Sequence, residues 1–177
     1  MMAARFLFVE DQHGVEFHQR LIEKLQNSGI VPHSLAPKIE RIPTGLCNSS
    51  LGRKIAARLF GLERWRILFV IDSEGEEKRA AADARVLRHL RSHESLRDRL
   101  DNVRVVVVHP RHEKWLCMGL GGRSCNSDPE SELDRILGRV YKKDELAKQA
   151  GRLNVEGLMS DGDFREYIEG LRWLLSS

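Results

Sequence analysis

The sequence has few cysteines, few aromatic residues and no long apolar run. Three cysteines, Cys47, Cys117 and Cys125, stand among 177 residues. An odd number without framework spacing argues against a disulfide scaffold and for a reducing compartment. Aromatic residues make up 6%, and no apolar run approaches the length that spans a bilayer. The N-terminus runs straight into a strand-like segment, without a charged leader, a long apolar core or a small-residue cleavage site, so no signal peptide is expected. A cytoplasmic location follows by elimination, and no membrane partner is expected. The net charge is only +3, less than a domain that grips nucleic acid by charge alone usually carries. The basic residues are uneven, however: Arg79, Arg85, Arg88, Arg91, Arg97, Arg99 and Arg104 crowd one stretch.

What is present is a globular chain, 41% hydrophobic and 31% charged, with enough residues for one domain with a real core. Arg5–Val9, Arg66–Ile71 and Val103–Val108 are short runs rich in β-branched and aromatic residues, without polar alternation. Such runs suit strands covered on both faces, as in a mostly parallel sheet. A fourth strand is expected near 30–35, at an edge because of Pro32. Val15, Phe17, Leu21, Ile22 and Leu25 line one helical face that ends near Asn27-Ser28-Gly29. Leu51, Ile55, Leu59 and Leu62 recur at helical spacing, with Asn48 or Ser49 as N-cap. Residues 76–99 read as one long charged helix or two shorter ones. After Val108 come a turn, a short helix, the glycine-rich loop 119–129 and three helical stretches over 130–138, 144–151 and 163–175. The expectation is an α/β three-layer sandwich with a mostly parallel central sheet of about four strands. A core over 1–118 would carry a helical extension, 128–177, packed on it as part of one domain.

In open α/β sheets, sites form beyond the carboxyl ends of the strands. Glu10 and Asp11 follow the first strand; Asp72, Glu74, Glu76 and Glu77 follow the central one; His109, His112 and Glu113 follow the last. Clustered carboxylates repel each other, and a divalent cation relieves that repulsion. Asp72-x-Glu74 sets two carboxylates on one strand-exit turn, where a hard cation such as Mg²⁺ or Mn²⁺ could take both. The plainer reading makes these acids helix caps and first-turn charges, and Glu76 and Glu77 fit it. His109, His112, Cys117 and Cys125 lack zinc-finger spacing. The glycines at 119, 121 and 122 form neither a P-loop nor a dinucleotide fingerprint. Trp115, beside Leu116, reads as a packing anchor.

Two of these stretches resemble a known family. Phe6–Phe17 (FLFVEDQHGVEF) is similar to the first motif of Toprim domains, and Leu68–Glu74 (LFVIDSE) to the second. Glu113-Lys114-Trp115-Leu116 resembles the Glu-x-Trp-Leu element, and Phe164–Leu175 the closing helix, of a Toprim-like family of unknown function related to the overcoming-lysogenization-defect nucleases. The resemblance implies a metal-dependent phosphodiester enzyme, a nuclease of microbial defence or DNA repair. It implies Glu10 as general acid/base and metal ligand, with Asp72 and Glu74 as the metal pair and Mg²⁺ or Mn²⁺ as cofactor. Asp11, Glu113 and His112 stand in second rank, and Arg79, Arg85 and Lys114 are candidate nucleic-acid contacts. Asp11 stands where the family commonly has glycine, and Glu74 where it has aspartate. Nucleic acid, an ATPase encoded nearby and a second copy of the chain are the partners to consider. Two alternatives stay open: a non-catalytic metal- or nucleotide-binding module, and a receiver-type domain with Asp72 as phosphoacceptor.

Overall fold

A computed structural model describes residues 2–45 and 48–177. Four parallel strands form one sheet in the order β2-β1-β3-β4: β1 (Ala4–Val9), β2 (Lys38–Arg41), β3 (Trp65–Asp72) and β4 (Val103–Val108). Alternate residues of each strand enter opposite cores. Leu7, Val9, Leu68, Val70, Val106 and Val108 point to one layer, and Phe6, Phe8, Ile67, Phe69, Ile71 and Val107 to the other. The chain is therefore an α/β three-layer sandwich, and the continuous apolar runs in the sequence reflect strands buried on both faces.

The first layer holds α1 (Gln12–Asn27) and the helices after β4. Of the latter, α6 (Glu113–Gly119), α7 (Pro129–Leu137), α8 (Glu145–Gln149), α9 (Val155–Leu158) and α10 (Gly162–Leu175) all contribute buried side chains. Gly170 lets α10 lie close on the sheet, since a Cβ there would stand 3.0 Å from Leu68 Cδ1. The second layer holds α2 (Leu51–Arg58), α3 (Lys78–Ala82), a π-helical turn (Asp83–Leu87), α4 (Arg88–Arg91) and α5 (Glu94–Arg97). No helix among the described residues is long and apolar enough to cross a membrane.

Several expectations are corrected. The second strand lies at Lys38–Arg41, not near 30–35. Its sequence KIER has a single apolar residue, as a short edge strand with little burial allows, so it lacks the apolar signature of the other three. Within 76–99 the helical run from Lys78 to Arg91 is continuous, with a π-helical turn at its middle, and a second short helix follows a break at His93, as the reading of two shorter helices expects. Ser50 holds the N-cap position of α2 without a side-chain cap bond, and Asn48 Oδ1 accepts from both its N–H and its hydroxyl. Cys117 and Cys125 form a disulfide. Gly122 N–H donates to Cys117 O at 2.8 Å and turns the chain back, leaving the two Cα atoms 5.7 Å apart. That bond removes the support the cysteines gave to a reducing compartment, and it rules both out as free zinc ligands. Cys47 lies outside the described residues.

Candidate functional site

Strand order places β1 beside β3, while the chain leaves β1 for β2 on one side and reaches β4 from β3 on the other. The crevice at such a switch point is where open parallel sheets bind ligands. Val9 pairs in register with Val70, so Glu10, one residue beyond, and Asp72, two beyond, come to that crevice. Asp72 N–H donates to Glu10 Oε1 at 3.0 Å. Burial, then the Asp72 charge, push the Glu10 carboxyl up to about 7; the bond from Asp72 N–H and the nearby His112 oppose this, and Glu74 adds to it.

Asp72 is buried, and its Oδ1 accepts twice from His112, from the backbone N–H at 2.9 Å and from Nδ1 at 2.5 Å. Glu113, the first residue of α6, is 4% exposed. Burial and the Asp72 charge hold its carboxyl above the ordinary range, and Tyr141 O–H donates to its Oε1 at 3.2 Å. Glu74 sits one turn further out, exposed, at φ 51°. A left-handed backbone is unfavourable for a residue with a Cβ, and its presence here turns the chain sharply after Asp72. Asp72, Glu74, Arg111, Glu113, Tyr141 and Lys143 line one pocket of about 300 Å³. A narrow neighbouring cleft joins it to Glu10 and Asp11.

Asp11 plays the plain structural part. It caps α1 by accepting from Gly14 N–H at 2.8 Å, and it pairs with Lys143 at 2.8 Å. Two of the three candidate nucleic-acid contacts are corrected by burial. Arg85, carried inward on the π turn, donates to the carbonyls of Asp72 (2.6 Å) and Ser73 (3.1 Å) and so holds the turn that carries Glu74. Lys114, 5% exposed, is paired with Asp161 (2.8 Å) and Asp163 (3.0 Å). Arg79 is exposed. Trp115 is fully buried, with its Nε1–H on Asp161 Oδ2.

The site has a buried floor that sequence reasoning missed. His112 Nε2 lies 2.9 Å from His18 Nε2, and His18 Nδ1 lies 2.7 Å from Tyr167 Oη. Both His18 and Tyr167 are 0% exposed. Burial pulls the His112 imidazole down, but the Asp72 charge and hydrogen bond, with Glu113 and Glu10, more than restore it, so the net direction is up. Burial and the His112 charge hold the His18 imidazole well below the histidine range. His18 is therefore neutral and passes one hydrogen bond along. The only signal for it was a polar residue within the apolar stripe of α1, between Val15 and Leu21.

Carboxylate oxygens are the donors a hard cation prefers. Glu10, Asp72, Glu74 and Glu113 offer carboxylate oxygens, and on the same wall Arg111 is paired with Glu130 and Lys143 with Asp11. The acids do not form a closed cage. Among the described residues no three His, Cys, Asp or Glu side chains are grouped to hold a metal ion by themselves, and Glu10, Asp72 and Glu113 each accept an internal hydrogen bond. Mg²⁺ commonly needs only one or two carboxylates, with water and phosphate oxygens completing its shell. No protein-family model matches the chain, and neither the curated proteins nor the solved structures contain a match to it.

Proposed function

We propose that the chain is a Toprim-like, Mg²⁺- or Mn²⁺-dependent phosphodiester-processing protein, with Glu10, Asp72 and Glu74 at its centre. The observation that carries this reading is the convergence of Glu10, Asp72 and Glu113 at the β1/β3 crevice, with burial and mutual charge raising Glu10 to about 7. Acids kept together at that cost form a site waiting for positive charge. A bound cation would neutralise phosphate oxygens and lower the barrier to displacement. Glu10 is poised to hold or give up a proton near neutral pH, as a general acid or base requires. His112 fixes one oxygen of Asp72 and leaves the other for ligation. Glu113 is a further ligand candidate. Arg111 and Lys143 flank the pocket and would meet the phosphate of a strand, without reading its sequence, by exchanging their present partners Glu130 and Asp11 for it.

The internal hydrogen bonds on the carboxylates also favour a second reading, a non-catalytic metal- or nucleotide-binding module. The receiver reading is weaker, because Asp72 Oδ1 is already taken by two donors from His112. Calorimetry with Mn²⁺ and Mg²⁺ on the wild type and Asp72→Asn, followed by cleavage assays on DNA and RNA with Glu10→Gln, separates these. Metal binding lost in Asp72→Asn, and cleavage reduced by about 10²–10⁴-fold in Glu10→Gln, are the expected results. Binding without cleavage selects the module. Equal or absent binding in both proteins overturns the metal site.

A further inference from the structure

The opposite end of the sheet carries the reverse electrostatics. Arg5 on β1 and Arg66 on β3 are register partners in adjacent strands, so two like charges stand side by side. Arg64 precedes β3, and Arg99 follows α5. All four line one cavity of about 470 Å³, with Glu63, Trp65, Asn102 and Ser177 also in its wall. Seven arginines outside this cavity, Arg58, Arg85, Arg88, Arg91, Arg111, Arg135 and Arg139, are ion-paired with acids. Here, among the described residues, none of the four has a carboxylate within ion-pair distance. Their partners are neutral instead. Arg5 Nη1 donates to Leu174 O at 3.0 Å, Arg66 Nη1 to Trp173 O at 2.6 Å and Ser176 Oγ at 2.7 Å, and Arg99 Nη2 to Glu63 O at 2.8 Å.

Arg5 is the most telling of them. It is 7% exposed, its buried Nε has no hydrogen-bond partner, and burial followed by the Arg66 charge lowers its pKa. A buried cation beside another cation is costly unless an anion answers it. The guanidinium planes are also held in place. Arg99 stacks at 4.7 Å over Trp65 and Arg66 at 5.5 Å over Trp173, so each keeps its fork oriented, with N–H groups beyond the one nitrogen already given to a neutral acceptor. Trp65 is 3% exposed and covered by Arg99, so no base can stack on it. Forked donors without a base platform suit oxyanions of high charge, phosphate above all, since a single carboxylate would leave most of the charge unanswered.

We propose that Arg5, Arg64, Arg66 and Arg99 form a phosphate-binding site at the amino end of the sheet, which takes a ligand through its phosphate groups alone. The site lies across the sheet from the acidic crevice and does not depend on that crevice binding metal. Phosphates of a small phosphoester and of a nucleic-acid backbone share this chemistry, and the test separates them. Inorganic pyrophosphate and a short oligodeoxynucleotide are titrated by calorimetry, with EDTA present, into the wild type, Arg64→Ser/Arg99→Gln and Asp72→Asn. Pyrophosphate is expected to bind the wild type and Asp72→Asn alike, with Kd of about 1 mM or tighter, and at least about tenfold more weakly the arginine double variant. Oligonucleotide binding with the same variant sensitivity and a steep salt dependence assigns the site to a nucleic-acid backbone. Pyrophosphate binding without it assigns the site to small phosphoesters. Circular dichroism verifies that the double variant is folded, and retention of Arg5 and Arg66 keeps their bonds to the C-terminal carbonyls. Absence of binding by both probes, or equal binding in wild type and double variant, overturns the proposal.

Discussion

His18 and His112 meet nitrogen to nitrogen, Nε2 to Nε2 at 2.9 Å, so one ring must donate and the other accept. Asp72 claims Nδ1–H of His112. With His112 neutral, its Nε2 accepts from His18 Nε2–H, and His18 Nδ1 accepts from Tyr167 O–H. Every polar atom from the helical floor to the crevice is then satisfied, and the direction of each bond is fixed by the carboxylate at the end. If His112 takes up a proton, both middle bonds reverse. The chain of four groups links α1, α6 and α10 to the end of β3, so the same contacts that close the core orient Asp72.

Breaking this chain should cost stability in a coupled way. Tyr167→Phe removes the donor to His18 Nδ1 and should destabilise by about 1 kcal/mol. His18→Leu leaves Tyr167 and His112 Nε2 both unpartnered and should cost about 2–4 kcal/mol. The double variant should cost less than the sum, because the orphaned hydroxyl is already gone. Urea denaturation of the four proteins measures the cycle. Additive effects would show that the two side chains do not act through one bond.

Glu10 predicts a pH dependence of unusual sign. Its carboxyl is raised from 4.5 to about 7 in the fold, chiefly by burial and by Asp72. The folded state therefore holds the proton more tightly than the unfolded chain. The Glu10 contribution to stability is best below about pH 4.5 and declines as pH rises through 7. The full difference would be roughly 3 kcal/mol, and less for a carboxyl that is part exposed. Glu10→Gln should flatten thermal stability between pH 5 and pH 8 in metal-free protein, measured by calorimetric melting in EDTA. A wild-type melting temperature that does not fall over that range relative to Glu10→Gln would contradict the burial argument.

Glu74 carries two opposing effects that substitution can separate. At φ 51° its backbone favours glycine. Glu74→Gly should stabilise the metal-free protein by about 1 kcal/mol, and Glu74→Ala should not. Both remove the carboxylate, so both should weaken Mn²⁺ binding alike. Chemical denaturation in EDTA gives the first quantity and calorimetry the second. If Glu74→Gly and Glu74→Ala are equally stable, the turn is not strained; if both bind Mn²⁺ as the wild type does, Glu74 is not a ligand.

Whether a feature could be read from the sequence depended on whether its cause was local. β1, β3 and β4 announce themselves because strands buried on both faces need uninterrupted apolar runs, and the carboxyl ends of β1 and β3 then point to Glu10 and Asp72. β2 escaped because four residues at a sheet edge, KIER, carry no such run. The π-helical turn at 83–87 escaped because it carries Arg85 to the carbonyls of Asp72 and Ser73, a contact between elements. His18 sits on an apolar stripe and looks like an ordinary core residue; its partner Tyr167 lies 149 positions away, and only the docking of α10 brings them together. The basic cavity depends likewise on register, since only the pairing of β1 with β3 sets Arg5 beside Arg66.

Asp163 offers the sharpest test of how the C-terminal helix supports the rim. Its Oδ2 accepts from His109 N–H at 2.8 Å and from Lys114 at 3.0 Å, and its Oδ1 takes Lys78. It thus joins α10 to the segment after β4 and to α3. Burial alone would raise its pKa, but Lys78, the His109 N–H and Lys114 outweigh burial and hold it below the ordinary aspartate range. A depressed acid stabilises the fold above its unfolded pKa, and that contribution is lost as pH falls through the folded one. Asp163→Asn should cost about 3 kcal/mol at neutral pH, since it leaves the buried Lys114 short of a partner, and should lessen the loss of stability below about pH 4. Lys78→Met, at a partly exposed position, should cost less than about 1 kcal/mol. Denaturation curves for the three proteins at pH 7 and pH 3 decide it. A cost for Asp163→Asn no larger than that for Lys78→Met would mean that the helix is held by its apolar face alone.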